Sequence, residues 1–378
     1  MRLGSVLSEA LRNIGSGVSR AFAMFLAVLL SGTLLGGYEA MTVIDLESQA
    51  VQRINAYADV NAIVGGTVDG TACDRLSDAG DGMTGTLAGA MRAGKQVVPL
   101  ATPGKDISSY DVTPGMIRLI AGNAKADVSG VWVPRDVAKD FGLAVGSALQ
   151  TREGTTRVAG VFDWPNDGRD TRFAYAFIVP VSASASTFDE CWVKQWPVDG
   201  QTENLLYATL VAGSGSSNAG VTQVNKGFDA HYDARASYVN RSTRWMPWVG
   251  LAIGVLVGVF GVRRRRLEYA GALHSGQSKG AQLLGIGVET GVWAGLATFA
   301  SCALLLAYAV RMSRSDWAAV LAAAVRTPLA VFAGVMVASL FAGLLIRESQ
   351  LFLQEALTGL KKRNNPLGFW LVARRSPF

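Results

Sequence analysis

Four long apolar stretches, with one wide gap between the first and the second, constrain this chain more than any other feature. They run Ala21–Tyr38, Trp245–Val262, Leu283–Val310 and Thr327–Ile346. Each is near the roughly 20 residues an α-helix needs to cross the hydrocarbon core of a bilayer. The composition agrees, since 50% of the residues are hydrophobic and only 17% are charged, too apolar a balance for an ordinary soluble protein. About 200 residues of globular composition separate the first two stretches. That gap excludes a compact carrier with short loops throughout, and the repeated spans exclude a secreted enzyme. The expected fold is an α-helical membrane protein with four transmembrane helices and an inserted α+β extracytoplasmic domain.

Charge orients these pieces. The net charge of +6 is unevenly spread, because residues 39–244 hold 18 Lys and Arg against 23 Asp and Glu. The ends and the short segment 263–282 carry the basic excess, with Arg263 to Arg266 in one run. Positive loops stay in the cytoplasm, so the basic surplus is a topology signal and no nucleic-acid partner is expected. The predicted division starts with a cytoplasmic amphipathic helix over 1–20, the first span over 21–38 and the extracytoplasmic domain over 39–244. The second span then covers 245–262, a cytoplasmic coupling segment 263–282 and the third span 283–310. A short extracytoplasmic loop covers 311–326, the fourth span 327–346 and a cytoplasmic tail 347–378. The protein is expected in the cell membrane, multi-pass, with both termini cytoplasmic and membrane lipid as a partner. Residues 1–38 are expected not to be a cleaved signal peptide, because the apolar stretch is too long and no clean small-x-small site follows it.

Within the large domain, β-branched or alternating runs predict strands at Asp59–Val64, Gln96–Leu100, Val128–Val133, Arg157–Phe162, Ala174–Val181 and Leu205–Val211. Pro134–Phe141 predicts a short helix that Gly142 stops. The small polar residues of Gly213–Gly220 predict a loop, and Val221–Phe228 a second helix.

Catalytic groupings are scarce. The two histidines, His231 and His274, fall on opposite sides of the predicted membrane. No HExxH, no clustered metal ligands and no phosphate-cradling GxxxxGK[ST] loop is present. The chain is therefore expected to bind no metal or cofactor and to be no enzyme, so that any energy source is supplied by another chain. Cys73 and Cys191 both fall in the large domain while Cys302 lies in the third span. An oxidising exterior favours a Cys73 to Cys191 disulfide; two unrelated buried thiols are the alternative.

The order of short inner helix, span, large outer domain and three further spans resembles the MacB/FtsX-type ABC transporter permease. The run VWVPRDVAKDFGLAVGSALQTREGTTRVAGVFDW at Val131–Trp164 is similar to the core-domain signature of that family, and AYAFIVPV at Ala174–Val181 to the strand beyond it. RRRRLEYAGALHSGQSKGAQLLGIGVET at Arg263–Thr290 resembles the stretch after the second span, and GLLIRESQLFLQEALTGL at Gly343–Leu360 the exit segment. Three positions depart from the pattern: Ile346 stands for the usual proline, Gly271 for an arginine and His274 for a glycine. The resemblance implies a MacB-like outer domain and a permease that works with a second copy or paralogue. It also implies a cytoplasmic ABC ATPase subunit that carries the ATP and Mg, and motion relayed to export or extract a hydrophobic compound, lipid or peptide. An FtsX-like transmitter controlling an external cell-wall hydrolase, or a membrane sensor or scaffold that transports nothing, are the alternatives.

Glu268, Tyr269, Ala270, Gly271, Ala272, Leu273 and His274 form the expected ATPase-coupling handle, since they lie in the only inner loop between two spans and their small residues admit a partner groove. Glu289, about one turn into the third span, is either functional, as intramembrane carboxylates are expensive, or snorkels to the interface. Gly250, Gly254 and Gly258, with Gly287, Gly291 and Gly295, repeat every four residues, a spacing that lets two helices approach closely. Gly32 and Gly36 extend it to the first span.

Overall fold

A computed structural model describes residues 8, 12, 15, 20–78, 86–100, 104, 106–122, 127–198, 200–213, 218–313 and 315–347. The predicted segment 1–20 and tail 347–378 therefore lie almost wholly outside the described residues, as does most of the exit segment. The chain divides into two compact units, residues 1–47 with 238–378, and residues 48–237.

Among the described residues of the first unit are four helices long and apolar enough to cross a membrane: α1 (Ala21–Asn55), α7 (Met246–Arg264), α9 (Lys279–Met312) and α10 (Trp317–Leu344). A short helix, α8 (Arg266–His274), connects α7 to α9. The helices outrun the apolar stretches that predicted them. At 35 and 34 residues and 1.5 Å per residue, α1 and α9 reach about 50 Å against a core of about 30 Å. Nothing in residues 39–55 breaks a helix, so α1 continues where its hydrophobicity ends.

The expected loop 311–326 shrinks to the residues between α9 and α10. Helix α10 starts ten residues before the predicted span because Asp316 caps it, accepting from the Ala319 amide at 3.0 Å. Alanines 318, 319 and 322 to 324 then propagate it. Glu47 holds this turn to α1, accepting from the Ser313 hydroxyl at 2.9 Å and from the Ser315 amide at 2.6 Å.

The second unit is the inserted α+β domain. Its described strands are β1 (Val60–Val64), β2 (Val68–Asp69), β3 (Leu87–Ala93), β4 (Ser109–Val112), β5 (Val131–Pro134), β6 (Ala148–Thr151), β7 (Gly154–Phe162), β8 (Phe177–Pro180), β9 (Thr187–Phe188), β10 (Glu190–Lys194) and β11 (Gly220–Gln223). Its helices are α2 (Gly70–Arg75), α3 (Pro114–Ala121), α4 (Arg135–Asp140), α5 (Gly200–Tyr207) and α6 (Ala234–Val239), the last running into the first unit. Nine of the described strands form one mixed sheet in the order β11-β1-β10-β3-β4-β8-β5-β7-β6, and β2 pairs with β9. The pairs β4/β8 and β5/β7 are parallel and the other neighbours antiparallel.

Three local expectations change. Gln96–Leu100 makes only isolated bridges, Val97 with Ile107 and Pro99 with Thr151, because Pro99 has no amide to donate to a ladder. Leu205–Val211 begins inside α5. Val221–Phe228 opens as strand β11, since Val221 and Thr222 find partners in Ile63 and Ala62 of β1. Strand β3, whose LAGAMRA sequence favours a helix, is drawn into the sheet by packing. A Cβ on Gly89 would lie 2.0 Å from the Met116 amide nitrogen, so only glycine admits α3 at that distance.

Aromatic side chains fill the core beside β1 and β10. Trp164 meets Phe173 at 5.3 Å and Tyr57 at 5.2 Å between ring centroids, and Phe173 meets Trp192 at 5.3 Å. Buried Arg169 lies over both Tyr57 and Trp164 and pairs with Asp167. Burial holds the Tyr57 phenol up at about 12. Cys73 on α2 and Cys191 on β10 are fully buried, with Cα atoms 5.9 Å apart, and are joined by a disulfide.

Candidate functional site

The expected coupling residues occupy α8, and helical geometry splits them into two faces. Ala270 and Leu273, one turn apart, are buried with Val262, Ile286 and Ile346, and half-buried Tyr269 packs against the same cluster. Glu268 and His274 are exposed, and a Cβ added to Gly271 would meet nothing within 4 Å. Half-buried Ala272 lies between the two faces. The seven residues are thus not one surface: Tyr269, Ala270 and Leu273 anchor α8 to α7 and α9, and the open face is Glu268, Gly271 and His274 with Ala272 at its edge.

An arginine fixes this arrangement. Arg265, between α7 and α8, donates from Nη1 to Glu289 Oε1 at 2.6 Å and from Nε to Glu268 Oε2 at 2.8 Å. Its guanidinium lies 5.0 Å from the centre of the Tyr269 ring. Arg265 and Glu289 are about nine-tenths buried, whereas half of Glu268 is open. Glu289 therefore does not stand alone; it meets a cation from the loop, which offsets part of the penalty of burying its charge. Burial raises the Tyr269 phenol to about 12, with Glu289 adding to the shift. The four consecutive arginines look alike in the sequence, but Arg263, Arg264 and Arg266 are exposed.

The two glycine series separate in the same way. Gly250, Gly254 and Gly258 of α7 lie directly on α10: a Cβ on Gly254 would be 2.2 Å from the Val331 carbonyl oxygen, and one on Gly258 2.6 Å from that of Val335. Gly334 of α10 answers from the other side, 2.4 Å by the same measure from the Leu251 oxygen. Among the described residues, no backbone approaches Gly287, Gly291 and Gly295 of α9 as closely. Side-chain ends of Leu340, Met336 and Phe332 lie 3.5 to 4.0 Å from a would-be Cβ there, so these glycines make room for large side chains of α10. Gly32 and Gly36 bring α1 against α10 at Pro328: a Cβ added to Gly32 would lie 3.1 Å from the Pro328 Cβ, and one added to Gly36 3.0 Å from the Ala324 oxygen. That oxygen is the one Pro328 deprives of its helical donor.

A second buried pair escaped the sequence reading. Arg241 Nη2 donates to Glu39 Oε1 at 2.7 Å, with the carboxylate 1% exposed and the arginine side chain 7%. Among the described residues, Glu39 Oε2 and Arg241 Nε have no hydrogen-bond partner. A glutamate just past the end of an apolar run reads as the first polar residue of a solvated segment, and only the position of Arg241 shows otherwise.

The inserted domain has an open concavity of mixed polar and apolar lining, with Arg172, Glu190, Lys226 and Thr222 among its residues. Its central charges are mutually satisfied. Arg172 grips Glu190 through two bonds of 2.6 and 2.9 Å and Asp170 through one of 2.9 Å, and these carboxylates raise its pKa despite burial.

The chain matches no family model and no curated protein. Among solved structures it is similar to the crystal structure of a domain of a candidate permease protein from Porphyromonas gingivalis. The two share 10% sequence identity at a TM-score of 0.32, over 49% of this chain and 97% of that one.

Proposed function

We propose that this chain is the membrane subunit of an ABC transporter of the MacB/FtsX type. In this reading α8 is the handle on which a cytoplasmic ATPase subunit, carrying ATP and Mg, pushes. The displacement passes along α7 and α9 to the inserted domain on the far side of the membrane and drives export or extraction of a hydrophobic compound, lipid or peptide. A second copy or a paralogue completes the transporter.

The observation that carries this reading is the clamp of Arg265 on Glu289 and Glu268. A connecting loop that only joined two spans would need no buried charge between them. Here an otherwise exposed helix is bound to α9 by a short ionic contact and to α7 by the Val262–Ala270–Leu273 cluster. Force applied to its open face is therefore delivered to two membrane helices at once. The order of elements, with one large domain inserted after the first of four apolar helices, supports the same reading.

The test is reconstitution. The purified chain alone should hydrolyse no ATP, and a partner ATPase co-expressed with it should co-purify and hydrolyse ATP. Ala272→Glu should abolish that association while the Cys73–Cys191 disulfide still forms. Intact complex formation and ATP-dependent function in Ala272→Glu would place the coupling site elsewhere.

A further inference from the structure

The ends of α1 and α7 on the side of the basic run enclose a groove of about 1,000 Å³ that no part of the coupling argument uses. Its rim is cationic and its interior apolar. Arg20, just before α1, lines it together with Arg263 and Arg264 at the end of α7, and among the described residues no acidic side chain lines the groove. Among the described residues these three arginines make no ion pair. The rest of its lining is apolar, with Ala23, Met24 and Ala27 on α1, where Ala23 and Ala27 lie one turn apart, and Leu256 and Phe260 on α7. Phe260 and Leu256 are 58% and 69% exposed and share one face of α7 with Arg264 by their four-residue spacing. Helices α1 and α7 come together beside the channel, with Met24 Cε 3.7 Å from a would-be Cβ on Gly261.

We propose that this groove is a binding site for an acidic phospholipid. The phosphate would sit among Arg20, Arg263 and Arg264, and an acyl chain would lie over Ala23 and Ala27 between Met24 and Phe260. The charge pattern selects this occupant: three cations with no counter-ion among the described residues, at one end of an apolar groove, complement one molecule that is anionic at its head and hydrocarbon below. The contrast with Arg265 sharpens it, since that arginine of the same run turns inward to two carboxylates and leaves the others to face the lipid. The site is independent of the transport reading.

The full-length chain in nanodiscs of phosphatidylcholine with a tenth of phosphatidylglycerol tests the proposal, with the retained lipids counted by native mass spectrometry after delipidation. Phosphatidylglycerol should be enriched at least tenfold over its bulk share. Each arginine near a membrane surface favours an anionic lipid by roughly fivefold, so the combined R20Q, R263Q and R264Q variant should return the ratio to that of the bulk. R266Q, which changes an exposed arginine outside the groove, should keep the enrichment, and A27W, which fills the channel and leaves every charge, should lose it. Equal losses in R266Q and the triple variant, or full enrichment in A27W, would mean diffuse surface charge and overturn the site. Displacement of the lipid by water-soluble glycerophosphate would reduce it to a phosphate site, and would also overturn the proposal. So would cross-linking of two chains through F260C with no lipid retained, which would give the groove to a second copy.

Discussion

Arg265 Nη1 and Glu289 Oε1 stand 2.6 Å apart although the two residues are 24 positions apart in the chain, with all of α8 between them. This contact turns a nine-residue connecting helix into a part of the membrane unit. Removing one partner of a buried pair leaves an uncompensated charge and typically lowers stability by about 3–5 kcal/mol. Glu289→Leu and Arg265→Met should each destabilise the protein strongly, and the double variant should lose less than their sum. Denaturation in detergent micelles, read by tryptophan fluorescence, measures this cycle; strictly additive losses would mean the pair is not coupled.

The two glycine series should respond differently to the same change. Gly254→Ala places a methyl 2.2 Å from a backbone oxygen that cannot move without shifting α10, an overpacking defect of about 1–3 kcal/mol. Gly291→Ala adds the same methyl 4.0 Å from the mobile end of Met336 and should leave thermal stability nearly unchanged. Equal melting temperatures for the two variants would contradict the packing described.

Loss of the Cys73–Cys191 bridge should loosen the inserted domain. It closes a loop with a sequence separation of 118, for which the chain-entropy model gives about 5 kcal/mol. The Cys73→Ser, Cys191→Ser double variant should show earlier proteolysis within residues 48–237 than in the membrane helices. A non-reducing peptide digest of the parent protein should contain the linked pair.

Asp59 predicts a pH dependence. The carboxyl is 1% exposed, its Oδ1 is 3.7 Å from Lys194 Nζ, and burial raises it to about 6 against the pull of that lysine. A carboxyl whose folded-state pKa lies above its unfolded value of 3.8 binds its proton more tightly in the native protein. Its contribution to stability is fully present below about 3.8 and fades as pH rises through about 6. Asp59→Asn should therefore be more stable than the parent at pH 7, with the difference vanishing near pH 4. Denaturant midpoints at the two pH values check this, and an advantage that grows on acidification would reverse the assignment.

Orientation is tested by labelling. In a background with Cys302 replaced by Ala, a membrane-impermeant thiol reagent should label Asp229→Cys in intact cells and spare Ser278→Cys until the cells are opened. The opposite pattern would invert the topology that the basic segments predict.

The division into four membrane helices and one large insertion was legible in the sequence because it rests on a one-dimensional quantity. A run of apolar residues long enough to cross a bilayer is sufficient, whatever packs beside it. The strand, the short helix and the later strand within Val131–Phe162 were legible for a related reason, since Pro134, Gly142 and the β-branched run in β7 act locally, whereas β6 was not read from the residues. What the residues alone did not carry was every choice among chemically equal candidates. Four consecutive arginines differ only in which one faces Glu289. Six glycines with one spacing differ only in whether a backbone or a flexible side chain crosses them. Glu39 reads as solvated until Arg241, 202 residues away, arrives beside it. Leu87–Ala93 prefers a helix until the sheet offers hydrogen bonds on both edges and α3 needs a groove without a Cβ. In each case the deciding energy, a desolvated charge that must be paired or a van der Waals overlap that must be avoided, depends on atoms distant in the chain, and only the tertiary structure brings them together.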